Sequence, residues 1–155
     1  MNIIILVGAP GSGKSTYLDK LKLDGVLILN DDNLRESIFG FERTYDIRQK
    51  LYVLYIELLN EALNNKIFDK VFLDSTFFNT REMRTELFKE ISKNEVSDLN
   101  INVIYKKSKL EECIIRNKKR IPNRVVEEGK LIALYERLEP PSLSEKYISN
   151  IIELC

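Results

Sequence analysis

Six residues, Gly8-Ala9-Pro10-Gly11-Ser12-Gly13, separate the aliphatic run at positions 3–7 from a segment that opens Lys14-Ser15-Thr16-Tyr17-Leu18. Few folds accommodate that order. The run is continuous rather than alternating, which suits a strand buried on both faces of a parallel sheet. Such a strand needs helices above and below it, so the amino-terminal residues alone argue for α/β layers. Together with Lys14 and Ser15 the stretch fits G-x-x-x-x-G-K-[ST] in the strand-to-helix setting where that pattern has a physical meaning. Gly8, Gly11 and Gly13 let backbone N–H groups turn inward around phosphate oxygens, and a helix starting at Lys14 adds its positive end. Lys14 is then expected to reach the β- and γ-phosphates of an ATP-type nucleotide, and Ser15 to offer its hydroxyl to Mg²⁺. A glycine-rich turn that merely joins strand to helix is the plainer alternative.

The rest of the chain repeats the alternation. Short apolar runs at 26–29, 71–73, 101–105 and 147–154 read as further strands. Between them, 46–65 spaces Leu51, Leu54, Tyr55, Leu58 and Ala62 by threes and fours, and 80–93 does the same with Met83, Leu87 and Ile91. A helix over 110–120, a turn at Pro122 and a second helix over about 123–138 make a hairpin, which Pro140-Pro141 ends. With no linker or repeat, 155 residues predict one domain, 1–155, with a mainly parallel sheet covered on both sides.

Composition narrows the chemistry. The chain is 44% hydrophobic and 31% charged, which is globular, and no apolar run is long enough for a membrane span, so a cytoplasmic protein without a membrane partner is expected. Cys113 and Cys155 have no metal-ligand spacing around them and read as ordinary thiols. There is no histidine, so a general base must be Asp, Glu, Lys or Tyr. Net charge is zero but unevenly spread: residues 106–124 hold eight basic and two acidic residues.

Two aspartates, Asp31 and Asp32, follow the second apolar run. In parallel α/β sheets ligands bind outside the carboxyl ends of the strands, so these carboxylates are expected to face the phosphates, where one can accept a hydroxyl proton. Asp32 is preferred for its spacing to Arg35, three residues on and on the same helix face. The alternative is that one of the pair caps the helix, with Arg35 and Glu36 on the surface. Arg35 either holds a substrate phosphate or pairs with a neighbouring acid. Asp74, ending the third run, is expected to orient Mg²⁺ or else to cap the following turn. Arg116 and Arg120 share a helix face in the basic segment, with Lys119 and Arg124 nearby. They suit a lid, about 109–138, that closes over a nucleotide; a solvated charged face is the alternative.

The series Gly8-x-Pro10-Gly11-Ser12-Gly13-Lys14-Ser15-Thr16, Asp32-x-x-Arg35, Asp74-x-Thr76 and Arg116-Asn117-x-x-Arg120 resembles the polynucleotide 5′-hydroxyl kinase family over almost the whole chain. The resemblance implies a P-loop kinase fold with a sheet of four or five strands in the order of about 2-3-1-4-5. It implies Mg²⁺-dependent transfer from ATP or another NTP to the 5′-hydroxyl of an RNA or DNA end. The phosphate cradle would run from Gly8 and Ala9 to Thr16. Asp32 would be the general base and Arg35 the contact to the acceptor's 3′-phosphate. Asp31 and Thr76 would border the acceptor, Ser15 and Asp74 the metal, and Arg116 and Arg120 the donor phosphates. The sequence departs from the family where Asp31 replaces a common basic residue and Phe77 a common asparagine. Phe77 and Phe78 either stack an acceptor base or pack inside. With no room for an added phosphatase domain, kinase activity alone is expected, from a monomer or weak homodimer. A small-molecule kinase and a non-catalytic nucleotide-binding module are the competing functions.

Overall fold

The computed structural model describes all 155 residues. Along the chain run β1 (Asn2–Val7), α1 (Lys14–Lys20), β2 (Leu27–Asn30), α2 (Asp31–Ile38), α3 (Tyr45–Asn65), β3 (Lys70–Asp74), α4 (Arg81–Ser92), β4 (Asn100–Lys106), α5 (Leu110–Lys118), α6 (Glu128–Arg137) and β5 (Asn150–Leu154). The five strands form one all-parallel sheet in the order β2-β3-β1-β4-β5. This is the P-loop kinase-like order that the resemblance implies.

Central β1 shows why its run does not alternate. Ile3, Ile5 and Val7 point into the main core with α3 and α4, while Ile4 and Leu6 point to the opposite face, where they meet Leu18 of α1, Phe72 and Ile104. Every position is apolar because both faces are covered. Its two neighbours, β3 and β4, bring all three carboxyl ends to one edge, with Leu6 level with Asp74 and Ile104. No helix is long and apolar enough to cross a membrane.

The stripe on α3 differs from the expected one. Leu51, Tyr55 and Ala62 are buried as expected, but Ile56, Leu59 and Leu63 complete the buried face, whereas Leu54 and Leu58 are only half-buried. Almost every position from 51 to 59 is apolar, so spacing fits more than one face and packing decides. On α4, Leu87 and Ile91 are joined by Phe88 and by Arg84, which is fully buried. Its guanidinium forms a bidentate pair with Glu145, at 2.8 and 3.0 Å, and its Nη1 donates to the Phe78 carbonyl at 3.0 Å. Thus α4 clamps both the loop after β3 and the loop after Pro140-Pro141.

Two boundaries move. The last strand begins at Asn150, not 147, because Tyr147 stacks on Phe88, with ring centroids 4.7 Å apart, and Ile148 enters the core. The second hairpin helix begins at Glu128 rather than near 123, after a 3-10 turn, Pro122–Arg124, and an extended Val125. Phe77 and Phe78 are both buried, with Tyr52 and Tyr55 packed around Phe77 at 5.3 and 5.7 Å, so they pack inside rather than stack a base.

Removing one member of a buried ion pair strands the other charge. Glu145→Ala is therefore expected to destabilise the protein by about 3–5 kcal/mol, and Arg84→Met/Glu145→Leu to restore much of that loss. Urea denaturation measures both; a single-mutant loss below about 1 kcal/mol would show that the clamp carries little.

Candidate active site

Two strand ends and the start of a helix meet at Asp74. Its Oδ2 accepts hydrogen bonds from Ser15 Oγ at 2.7 Å and from Asn30 Nδ2 at 2.8 Å, linking the start of α1, the end of β2 and the end of β3. Asn30 also caps α2, its Oδ1 accepting from the Asn33 N–H at 2.8 Å. The cap is thus Asn30, and neither Asp31 nor Asp32 is used for it. Both lie in the first turn of α2, where the helix dipole favours their negative charge. The phenol of Tyr55 steadies this end of β2 by donating to the Leu29 carbonyl at 2.6 Å.

The glycine loop is held from behind. The Gly8 N–H donates to Asn79 Oδ1 at 3.0 Å and Asn79 Nδ2 donates to the Gly8 carbonyl at 2.9 Å, so one amide side chain satisfies both main-chain groups. Gly11 has φ +78°, and a Cβ there would sit 2.5 Å from the Cys113 carbonyl oxygen, so only glycine admits this approach of α5. Gly13, at φ +96°, is the left-handed residue preceding α1. Ala9 packs with Cys113 and Leu131 beneath the hairpin. Lys14 is buried, with Nζ donating to the Gly8 and Ala9 carbonyls at 2.6 and 3.1 Å. Burial lowers its ammonium from the ordinary value, against the opposing pull of Asp74 and Asp31. Ser12 Oγ is buried without a hydrogen-bond partner.

In front of the loop lies a cavity of about 620 Å³. Pro10, Gly11, Gly13, Lys14, Ser15 and Thr16 form one side of it. Asp31, Asp32, Arg35, Asp74 and Thr76 form another, and Arg116 and Arg120 overhang it from α5 and its end. Gly8, Ala9 and Ser12 stand behind the loop and support it instead. Sequence reasoning passed over Asn30, the last residue of β2, and Asn79, just past the 3-10 turn that follows β3, because their partners lie 44 and 71 residues away. It also passed over Arg43, Arg48, Lys130 and Arg137, which line the same cavity. Eight cationic side chains and three carboxylates surround this space in a chain of zero net charge. The cavity is built for anions.

The two aspartates differ sharply. Asp32 Oδ1 pairs with Arg35 Nη1 at 2.8 Å and Oδ2 with Arg120 Nη2 at 3.1 Å. Burial disfavours its charge, but Arg35 and Arg120 outweigh that and hold the carboxyl below its ordinary value. Asp31 has no such pair; burial and then Asp32 push it up to about 6. Arg35 is buried rather than on the surface, and its Nε and Nη2 find no acceptor although Nη1 holds Asp32. Buried guanidinium donors are costly to leave unpaired, so the two point to an acceptor that a ligand supplies. The hairpin lies against α2: Arg124 grips Glu36 in bidentate fashion at 2.8 and 2.7 Å and Asn33 at 2.7 Å, while Arg43 donates to the Asn123 carbonyl at 3.0 Å.

The donor set also suits Mg²⁺. Ser15 and Asp74 offer a hydroxyl and a carboxylate, and no group of three or more acidic, histidine or cysteine ligands exists elsewhere. A hard cation that keeps waters and shares phosphate oxygens fits so sparse a set.

Solved structures similar to this chain share its fold. A chain of the Pnkp1/Rnl/Hen1 RNA repair complex matches 87% of it at 23% identity with a TM-score of 0.63. This chain spans only 44% of that one. Kti12 of Chaetomium thermophilum, solved with ADP-AlF3, matches 99% of it at 20% identity and a TM-score of 0.70, covering 88% of its own length. A gluconokinase from Sinorhizobium meliloti 1021 matches 99% at 18% identity and a TM-score of 0.59, over 81% of its own length. A sequence search of curated proteins finds no match. The nucleotide-binding loop, the sheet order and a family model that fits residues 3–141 agree: the chain belongs to the AAA domain family.

Proposed function

We propose that the protein transfers the γ-phosphoryl group of ATP or a related NTP to the 5′-hydroxyl of an RNA or DNA end. Arg35 supports this reading most. One of its N–H groups holds Asp32 while two others, buried and unpaired, await an anion. A single guanidinium thereby sets a carboxylate and an acceptor phosphate at a fixed separation, as a nucleotide with a 3′-phosphate and a reactive 5′-hydroxyl requires. Likeness to a chain of an RNA repair complex agrees with this, and the cationic cavity suits a polyanionic acceptor in a chain that is neutral overall.

In the proposed reaction the main-chain N–H groups of Gly11, Gly13, Lys14, Ser15 and Thr16 hold the triphosphate, and the Lys14 side chain leaves the Gly8 and Ala9 carbonyls for the β- and γ-phosphates. Mg²⁺, at Ser15 and Asp74, would neutralise charge on the β- and γ-oxygens. Arg120 moves from Asp32 to the donor, and Arg116, beside the Ser12 carbonyl at 3.4 Å, flanks the same phosphates. Loss of the Arg120 pair on donor binding raises the proton affinity of Asp32. The 5′-oxygen attacks the γ-phosphorus, Asp32 takes its proton, and the nucleoside diphosphate leaves. Thr76 and Asp31 border the acceptor.

Labelled ATP with Mg²⁺, a 5′-hydroxyl oligonucleotide and a panel of nucleosides and sugars tests the assignment. Label is expected on the oligonucleotide; label on a sugar or free nucleoside alone would replace it with a small-molecule kinase. Asp32→Asn is expected to lower kcat by roughly 10²- to 10⁴-fold with little change in the KM for ATP, the usual range for a lost general base. A larger loss in Asp31→Asn than in Asp32→Asn would move the base by one residue.

Asp31 also makes stability depend on pH. The folded state holds its proton up to about pH 6, whereas an unfolded aspartate releases it near 3.9. That group's stabilising contribution is present below the unfolded value and is lost as pH rises through about 6. The advantage of Asp31→Asn over the natural protein should therefore grow by about 1–2 kcal/mol between pH values of about 4 and 8, partial solvent access reducing the full shift. Urea midpoints across that range measure it; a constant difference would refute the assignment.

A further inference from the structure

A second hollow, of about 680 Å³, lies between α3, α4 and the end of α6, and it shares Arg48, Thr76, Leu134 and Arg137 with the first. The two cavities therefore meet where two arginines stand. Neither forms an ion pair with any carboxylate of the chain. Arg48 is fixed nonetheless: its guanidinium lies over the Phe77 ring at 4.7 Å, and Phe77 is itself buried against Tyr52 and Tyr55. Stacking of this kind occupies the face of the guanidinium and leaves its in-plane N–H donors available. The arginine is held ready with nothing to hold.

Beyond this junction the hollow offers Tyr52, Val53 and Met83, surfaces suited to bases rather than to more phosphate. Two of its carboxylates, Glu86 and Glu90, are already paired with Lys89 and Lys93 at 2.9 and 2.7 Å, which limits their repulsion of an anion; Glu57 is not paired. Resting on the acceptor assignment above, we infer that Arg48 and Arg137 bind the next phosphodiester of a single-stranded acceptor, the one following the phosphate at Arg35, and that the strand leaves the active site through the hollow between α3 and α4. The site thereby selects oligonucleotides over mononucleotides. A cation at this junction contributes nothing to a small acceptor that carries one phosphate, so length preference is the signature of the path.

The experiment compares a single-stranded 5′-hydroxyl oligonucleotide with a nucleoside 3′-monophosphate as acceptors for the natural protein, Arg48→Gln, Arg48→Lys and Arg137→Gln. The natural protein is expected to favour the oligonucleotide in kcat/KM. Arg48→Gln should reduce that preference about tenfold, through KM rather than kcat, with Arg137→Gln acting in the same direction. Arg48→Gln should also flatten the dependence of log affinity on log salt by about 0.7, the share of one phosphate contact on a single strand, while Arg48→Lys retains most of that slope. Label on neither acceptor would remove the polynucleotide kinase reading and this path with it. Efficient labelling of both without preference, or a preference that Arg48→Gln and Arg137→Gln leave intact, would keep the reading and overturn the path.

Discussion

Asp74 is the joint on which the site depends. It is almost wholly buried, yet it accepts hydrogen bonds from residues on two other segments, Ser15 at the start of α1 and Asn30 at the end of β2. A buried carboxylate without donors would be costly, so the two bonds are conditions of its presence as well as consequences. Asn30 then transmits the position of Asp74 to α2 through its bond to the Asn33 N–H, and α2 carries Asp31, Asp32 and Arg35. The register of β2 against β3, which sets Asn30 level with Asp74, thus fixes the distance from the phosphate loop to the acidic turn. A slip of one residue would send Asn30 to the other face and break the chain of contacts.

The backbone plan was legible because it rests on patterns with a single physical meaning. A glycine-rich loop between a strand and a helix, with apolar runs alternating with helical spacing, leaves few arrangements beyond a parallel sheet covered on both sides, while the order β2-β3-β1-β4-β5 came from the family resemblance. Legibility ended where one residue type serves several purposes. Nothing local distinguishes Asn30 and Asn79 from the other asparagines; their value comes from partners 44 and 71 residues away. Arg84 reads as a surface residue of an amphipathic helix, and only the folding of the 142–145 loop against α4 brings Glu145 to it. Arg35 and Asp32 lay at a spacing that spoke for both pairing and phosphate binding, and the structure shows the pair together with donors to spare.

Formal neutrality conceals a strong division of charge. The exposed pairs Lys50–Asp46, Lys89–Glu86 and Lys93–Glu90 join neighbouring turns of their own helices and contribute little beyond local order. The arginines at the cavity differ, because Arg43, Arg48 and Arg137 form no ion pair while eight cations meet only three carboxylates, an excess of positive charge that raises the energy of the empty site. In the proposed reaction that cost is recovered when phosphates bind. A neutral chain can therefore bind polyanions locally without the broad basic surface that would hold nucleic acid everywhere along its length.

The hairpin contacts divide into two kinds with different consequences. Arg124 with Glu36 and Asn33, and Arg43 with the Asn123 carbonyl, join the hairpin turn to the α2 side through groups that no phosphate displaces in the proposed reaction. Arg120 with Asp32 is a single contact to a carboxylate that the same reaction needs free. A triphosphate offers Arg120 more charge than one carboxylate does, so nucleotide binding favours exchange of that contact while the turn stays anchored. In the proposed reaction movement would then be confined to side chains at the centre of the site, and the entropy of ordering a lid would not be met again in each cycle. In that reaction the freed carboxylate gains proton affinity only when the arginine has left, so the base becomes effective only once the donor is in place.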